Sequence, residues 1–318
     1  MRPAPVLIAM TTILAPASAV ALTGVTAAAG ETVPTPLTLR LHPRRVAFGH
    51  PVTITGRATP ADAGKTVILE SAANPGGEWR QLAATPIDRG GRFHVRLVPR
   101  TSATLRAVEA PGAGPTAIPA SLGAGAGGAA TPASPVSALK VAARFAVRPR
   151  AFAVLGSGGI RVAGLLLPAA AGRPVRLESH TLAGWRTVAR GQTGRRGRFS
   201  LRYAPGPGTG RRLRVRFAGD VQNERATRAA GTVSVFSQDL ASWYSDAGTT
   251  ACGYHAGLGV ANRTLPCGTR VAFHYGGRTV MAVVDDRGPY VGGRNWDLNQ
   301  NTAAALGFAG AGTVWVSR

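Results

Sequence analysis

The 318-residue sequence predicts an all-β protein: two β-sandwich repeats, then a small β-barrel carrying one short helix. Three observations predict it. A long segment is duplicated within the chain. Apolar and polar residues alternate over short runs that Gly and Pro punctuate about every ten residues, the pattern of antiparallel sandwich strands. Only one stretch, near the C-terminus, carries helix signals.

Residues 1–28 read as a secretory signal peptide. Arg2 gives a short positive start, Val6 to Leu14 is apolar, and Ala17-Ser18-Ala19 offers a cleavage site, with a second choice at Thr26-Ala27-Ala28. Thr11, Thr12, Pro16 and Ser18 interrupt the run before it reaches the roughly 20 apolar residues of a spanning helix. No transmembrane anchor is therefore expected. No cysteine lies near the cleavage sites to take a lipid, so the expected location is secreted, in the cell wall, after signal cleavage.

Sandwich repeat 1 is expected over residues 34–110 and repeat 2 over 138–235. Val52-Thr-Ile-Thr-Gly56 matches Ile160-Arg-Val-Ala-Gly164, Gly64-Lys-Thr-Val67-Ile-Leu69-Glu70-Ser71 matches Gly172-Arg-Pro-Val175-Arg-Leu177-Glu178-Ser179, and Trp79 and Phe93 match Trp185 and Phe199. The offset is 108 residues at first and 106 after the loop before the tryptophans. So long a period is a duplicated domain and not a solenoid unit. The pattern resembles bacterial immunoglobulin-like wall modules. One Trp and one Phe per copy are expected to anchor the inter-sheet core, with sugar stacking by Trp79 or Trp185 the alternative. Between the copies, residues 111–137 are Gly, Ala, Pro, Ser and Thr with few large apolar groups, the composition of a flexible linker.

The net charge is +23, but it is unevenly placed. Residues 138–234 hold nineteen Lys or Arg against three acids, a net of +16, whereas 237–318 hold six Arg against five Asp. A basic middle of this kind fits anionic wall polymers or lipid head groups. Nucleic acid is excluded as the expected partner by the export signal and by the lack of aromatics interleaved with the arginines. Arginines that merely solvate strand faces are the bland alternative.

The last segment, 237–318, is expected to be the barrel. Val271 to Val280 is a hairpin around Gly276-Gly277, a pair suited to a primed turn. Val280 to Val284 is almost wholly apolar, as in a strand inside a small barrel. Asn299 to Leu306 is the helix, capped by Asn299 and ended by Gly307. Thr313 to Val316 closes the sheet. Both cysteines, Cys252 and Cys267, fall in this segment, and an even count in an exported chain favours a disulfide between them.

Ala241-Ser242-Trp243-Tyr244, Thr264-Leu265-Pro266-Cys267-Gly268-Thr269-Arg270-Val271, Asp286-Arg287-Gly288-Pro289-Tyr290, Asp297-Leu298 and Ala305-Leu306-Gly307 occur in this order. Together they resemble the rare lipoprotein A (RlpA) family, which acts on bacterial peptidoglycan. The resemblance covers roughly residues 239 to 318. It implies a six-stranded double-psi β-barrel and lytic transglycosylase activity, in which one acid protonates the glycosidic oxygen. The muramyl 6-hydroxyl then attacks in place of water and leaves a 1,6-anhydro end.

Asp286 matches the family's proposed acid. It follows an apolar strand and precedes a Gly-Pro turn that presents it at the barrel rim; the alternative is pairing with Arg287 or Arg294. Asp285 should face the other way by strand alternation. Asp297 matches the Asp of the family's "DLS" segment and is the weaker catalytic candidate, with capping of the following helix its favoured role. Two departures stand out: Tyr254 replaces the family's Glu and Asn262 its His. Asn262, Tyr290, Tyr254 and Trp243 are candidate substrate contacts, with barrel core the favoured reading of Trp243.

The histidines are scattered and no C-x-x-C or H-E-x-x-H pattern exists, so no metal and no cofactor are expected. Two functions stay open: a lytic transglycosylase of peptidoglycan glycan strands, or a non-catalytic, expansin-like module that binds or loosens wall glycan. The missing Glu and His leave the enzyme assignment open. A secreted inhibitor or effector whose basic sandwiches bind a foreign surface is a third reading.

Overall fold

The computed structural model describes residues 37–110, 133–245 and 248–318; the expected signal peptide and residues 111–132 of the expected linker lie outside the described residues. The fold is all-β, with one α-helix, Gln300–Leu306, among the described residues. Alternation produced this. Val52–Arg57, for example, buries every second side chain, as a strand with one wet face must.

In the first sandwich, Thr38–His42, Val52–Arg57 and Arg92–Leu97 form one antiparallel sheet. The facing sheet runs Arg80–Pro86, Thr66–Ala72, Ala103–Glu109, Ser137–Ala142 and Arg45–Ala47, the last pairing being parallel. The second sandwich repeats that order: Arg144–Ala146, Ile160–Leu167 and Arg198–Tyr203 face Gly184–Gln192, Pro174–Thr181, Gly208–Gly219, Glu224–Tyr244 and Arg150–Leu155. The duplication seen in sequence is thus a duplication of strand order.

Each sandwich has its own core. Ile54, Leu69, Phe93 and Leu105 lie in the first, Val162, Leu177, Phe199 and Phe217 in the second. Full burial of such side chains contributes roughly 1.5–3 kcal/mol apiece. The repeated glycines have a steric cause. A methyl group on Gly56 would overlap the Phe93 ring and the Thr38 carbonyl, and one on Gly164 would lie 2.6 Å from Val147 and 2.7 Å from the Ala146 carbonyl.

Two expectations are corrected. The phenylalanines are core, but the tryptophans are not. Trp79 lies under the Arg106 guanidinium, 4.2 Å from its ring centre, and Trp185 under that of Arg214 at 4.1 Å, both half-buried. Those arginines are held by Glu70 and Glu178, each at 2.7 Å, so every copy repeats a Glu–Arg–Trp stack. The second repeat was expected to begin at 138, yet Ser137–Ala142 closes the first sandwich, pairing with Ala103–Glu109 and burying Leu139 and Val141 in its core.

Strand Glu224–Tyr244 spans 21 residues and runs from the second sandwich straight into the barrel, without a linker. Its last residues join a closed ring of six strands. They pair with Gly312–Ser317, which pairs with Arg270–Tyr275, then Arg278–Asp286, Gly259–Ala261 and Trp296–Asn299, which returns to 241–244. The hairpin turns at Gly276 and Gly277, both with positive φ (53° and 80°), a shape other residues adopt only with strain. Asn299 caps the helix by accepting from the Thr302 amide at 2.9 Å, and Gly307 ends it at φ 69°. Trp296, fully buried, meets Phe273 edge-on and anchors the barrel core with Val271, Val284 and Leu298.

Candidate functional site

Strand register assembles the site. Ser242 stands opposite Asp297, Asp297 opposite Ala261, and Ala261 opposite Asp286, one row across four strands. Two strand spacings, about 10 Å between Cα atoms, separate the two carboxylate-bearing residues. Small, buried Ala261 lies between them. The favoured expectation for Asp297, a helix cap, gives way because Asn299 takes that role. Its carboxylate accepts instead from the Ser242 hydroxyl at 2.7 Å. Burial, the largest influence, pushes the Asp297 carboxyl above its usual range; the Ser242 hydrogen bond and Arg294 oppose this, while the Asp286 charge adds to it.

Asp286 is held differently. One carboxylate oxygen accepts from the backbone amides of Ala251 and Arg287, both at 2.8 Å. The suggested pairing with Arg287 does not form, because that guanidinium donates to the carbonyls of Asn262 (3.1 Å) and Leu265 (2.9 Å) and to Cys267 Sγ at 3.1 Å. Cys252 and Cys267 are joined as a disulfide across a separation of 15 residues. The bridge and Arg287 together fasten the loop before the 270–275 strand to the barrel rim.

Asp285 faces away from the rim, as alternation requires. It is fully buried, accepting from the amides of Ala256 at 2.8 Å and Val260 at 3.0 Å. Gly259 is required beside it, since a methyl group there would overlap the carboxylate. This structural acid positions the loop that leads into strand Gly259–Ala261.

The expected sugar contacts divide. Asn262 is almost completely buried and committed to the backbone: its oxygen accepts from the amides of Thr264 (3.1 Å) and Leu265 (2.9 Å), and its Nδ2 donates to the Asn295 carbonyl at 3.3 Å. The Tyr254 hydroxyl donates to the Val284 carbonyl at 3.0 Å, leaving part of its ring exposed. Trp243 is 45% exposed, so Trp296 and not Trp243 is the core tryptophan; Tyr290 is 82% exposed. Ser242 is the residue that sequence reasoning passed over. Its signal was present, in a short motif read only for its aromatic neighbours.

A closed six-stranded barrel with this acid row allows a direct comparison with known proteins. Residues 237–317 match the family model described as lytic transglycolase. The RlpA resemblance rests on that match and on two relatives. A probable endolytic peptidoglycan transglycosylase RlpA from Synechocystis sp. is 38% identical over 98 residues, 26% of this chain and 29% of that protein. One of the same description from Nostoc sp. is 37% identical over 97 residues, 27% of this chain and 26% of that one. The chain thus spans less than a third of the length of either relative. Among solved structures, an I-band fragment of titin is 10% identical and covers 86% of this chain and 84% of that one, with a TM-score of 0.27. A chimeric titin Z1Z2 tandem is 14% identical, covering 60% and 93%, with a TM-score of 0.23.

Proposed function

We propose that this is an exported cell-wall protein whose barrel cleaves peptidoglycan glycan strands as a lytic transglycosylase. The observation that carries the reading is the Ser242–Asp297–Ala261–Asp286 row, with the Asp297 carboxyl pushed toward its protonated form by burial and the Asp286 side chain held at the rim by two backbone amides. Two carboxyls in one row, one of them raised by burial, can serve acid–base chemistry.

In this mechanism Asp297 gives its proton to the glycosidic oxygen and the bond from that oxygen to the anomeric carbon breaks. The 6-hydroxyl of the same sugar bonds to the anomeric carbon, and its proton passes to the Asp286 carboxylate. Proton exchange with water resets the pair. Exposed Trp243 and Tyr290 offer aromatic faces to the glycan. The roles of the two acids are thus the reverse of those the sequence suggested. Among the described residues no helix is long and apolar enough to cross a membrane.

A binding-only module is favoured by one observation: Tyr254 and Asn262, at the family's Glu and His positions, are tied to the backbone. Release of soluble fragments from dye-labelled peptidoglycan separates the readings. Asp297→Asn and Asp286→Asn in the full chain should each abolish release while wall binding persists. Undiminished release by either variant would remove that residue from the chemistry.

A further inference from the structure

The second sandwich carries a surface that its duplicate lacks. On the outer face of its larger sheet, Arg190 stands opposite Arg176 and Arg176 opposite Arg216, three arginines in one row across three strands. Arg214 occupies the next row and Arg212 the one after, both within 6 Å of the Trp185 ring centre. Register across paired strands puts directly opposed side chains on the same face. Glu178 is the only acid in this grid, and it is consumed by Arg214 at 2.7 Å and Arg216 at 3.4 Å.

Like charges directly opposed across a sheet are destabilising, so such a row needs a cause outside folding. The duplication supplies an internal control. In the first sandwich the matching row is Ala84, Ile68 and Val108, and the position of Arg212 is Thr104. The Glu–Arg–Trp stack occurs in both copies and is therefore structural. The added arginines occur only in the second. Every other acid of residues 138–234 is engaged elsewhere, Asp220 with buried Arg173 at 2.9 Å and Glu224 with Arg45 at 2.5 Å. Among the described residues no acidic side chain lies within ion-pair distance of Arg176, Arg190 or Arg212.

We propose that this face binds an extended polymer of phosphodiester-linked sugars or polyols. Guanidinium groups pair with phosphate by two parallel hydrogen bonds. Strands about 4.8 Å apart, with same-face residues near 7 Å along each strand, present them as a flat grid that a polymer can cross in several registers. Half-buried Trp185 lies at the edge of the grid, under the Arg214 guanidinium. The choice of a wall polymer over other polyanions rests on the proposed function, whereas the site itself rests on the register alone.

The test is binding of the full chain to a synthetic poly(glycerol phosphate), with phosphatidylglycerol vesicles and duplex DNA as separate arms. Affinity should fall as a power of salt concentration through counterion release. R176S/R190S/R212S should lower polymer affinity more than about tenfold at low salt and reduce the slope of log affinity against log salt by roughly two. R144S/R198S/R202S, which removes the same charge from the opposite sheet, should cost less than about threefold. R176K/R190K/R212K should recover most of the loss, which separates lost charge from misfolding. Equal losses from the two serine triples would overturn the site, as would no polymer binding. Tighter binding to vesicles or to DNA than to the polymer would overturn the assigned partner. No arm requires cleavage, so failure here leaves the barrel's proposed activity separately testable.

Discussion

In an Asp285→Asn variant the side chain keeps its shape but loses its charge, and one of its two oxygens becomes an N–H donor. In the native barrel both oxygens accept backbone amides, from Ala256 at 2.8 Å and Val260 at 3.0 Å, in a fully buried setting. A hydrogen bond to a charged group is worth about 1.5–3 kcal/mol, and a buried donor left unmet costs about 1–3 kcal/mol. The amide oxygen retains one of the two bonds, so a loss of about 3 kcal/mol follows. At 1.36 kcal/mol per tenfold, local opening should become more frequent by about two orders of magnitude. Hydrogen exchange followed by mass spectrometry on the full chain reads this directly. Amides in 253–262 should exchange roughly 100-fold faster, while those in Pro174–Thr181 of the second sandwich should not change. An acceleration below about threefold would mean that Asp285 does not anchor this loop, and the argument for the required Gly259 would fall with it.

Three further outcomes follow from the same geometry. Burial raises the Asp297 carboxyl above its ordinary 3.8, so between that value and its raised one the folded protein holds more protons than the unfolded chain, and stability falls as pH rises through that window. Asp297→Asn removes the penalty: its melting temperature should match the native protein near pH 3 and exceed it at pH 7, by calorimetry. Gly56→Ala forces overlap with Phe93 and should cost at least about 1–3 kcal/mol in denaturant unfolding. Gly206→Ala, which meets nothing within 4 Å, should stay within about 0.5 kcal/mol. Replacing Cys252 and Cys267 by Ser reopens a 15-residue loop and should destabilise the barrel by about 3 kcal/mol, read as a lower denaturant midpoint.

The strands were legible because their cause is local. Alternation marks a half-buried strand wherever it occurs, and Gly276-Gly277 and Gly307 mark turn and helix end by the φ they permit. Membership of a core is not local. Ser137–Ala142 follows the spacer in sequence and reads as the start of the second repeat, yet it pairs with 103–105 and 45–47 of the first sandwich and meets the second only where Ala142 stands opposite Glu224. Trp79 and Trp185 carried the signature of core aromatics, and only the cross-strand Arg106 and Arg214 reveal that they lie on an outer face.

The site was legible in its residue types and less so in their roles. Asp286 and Asp297 were both identifiable, but their surroundings were not: Asp297 accepts from Ser242, and Asp286 from the Ala251 and Arg287 amides. Asn262 read as a sugar contact because nothing in the sequence shows that the Thr264 and Leu265 amides consume its oxygen. The arginine row has the same origin: Arg176, Arg190 and Arg216 are far apart in sequence, and pairing alone makes them neighbours.

The most direct test of the central claim is digestion of purified peptidoglycan by the full chain in water enriched in oxygen-18, with mass analysis of the released fragments. Attack by the sugar's own 6-hydroxyl predicts 1,6-anhydro ends, lighter by one water than the hydrolytic product and free of the heavy isotope. Reducing ends carrying oxygen-18 would make the barrel a hydrolase, and bound protein with no released fragments would make it a binding module. Either result would contradict the account.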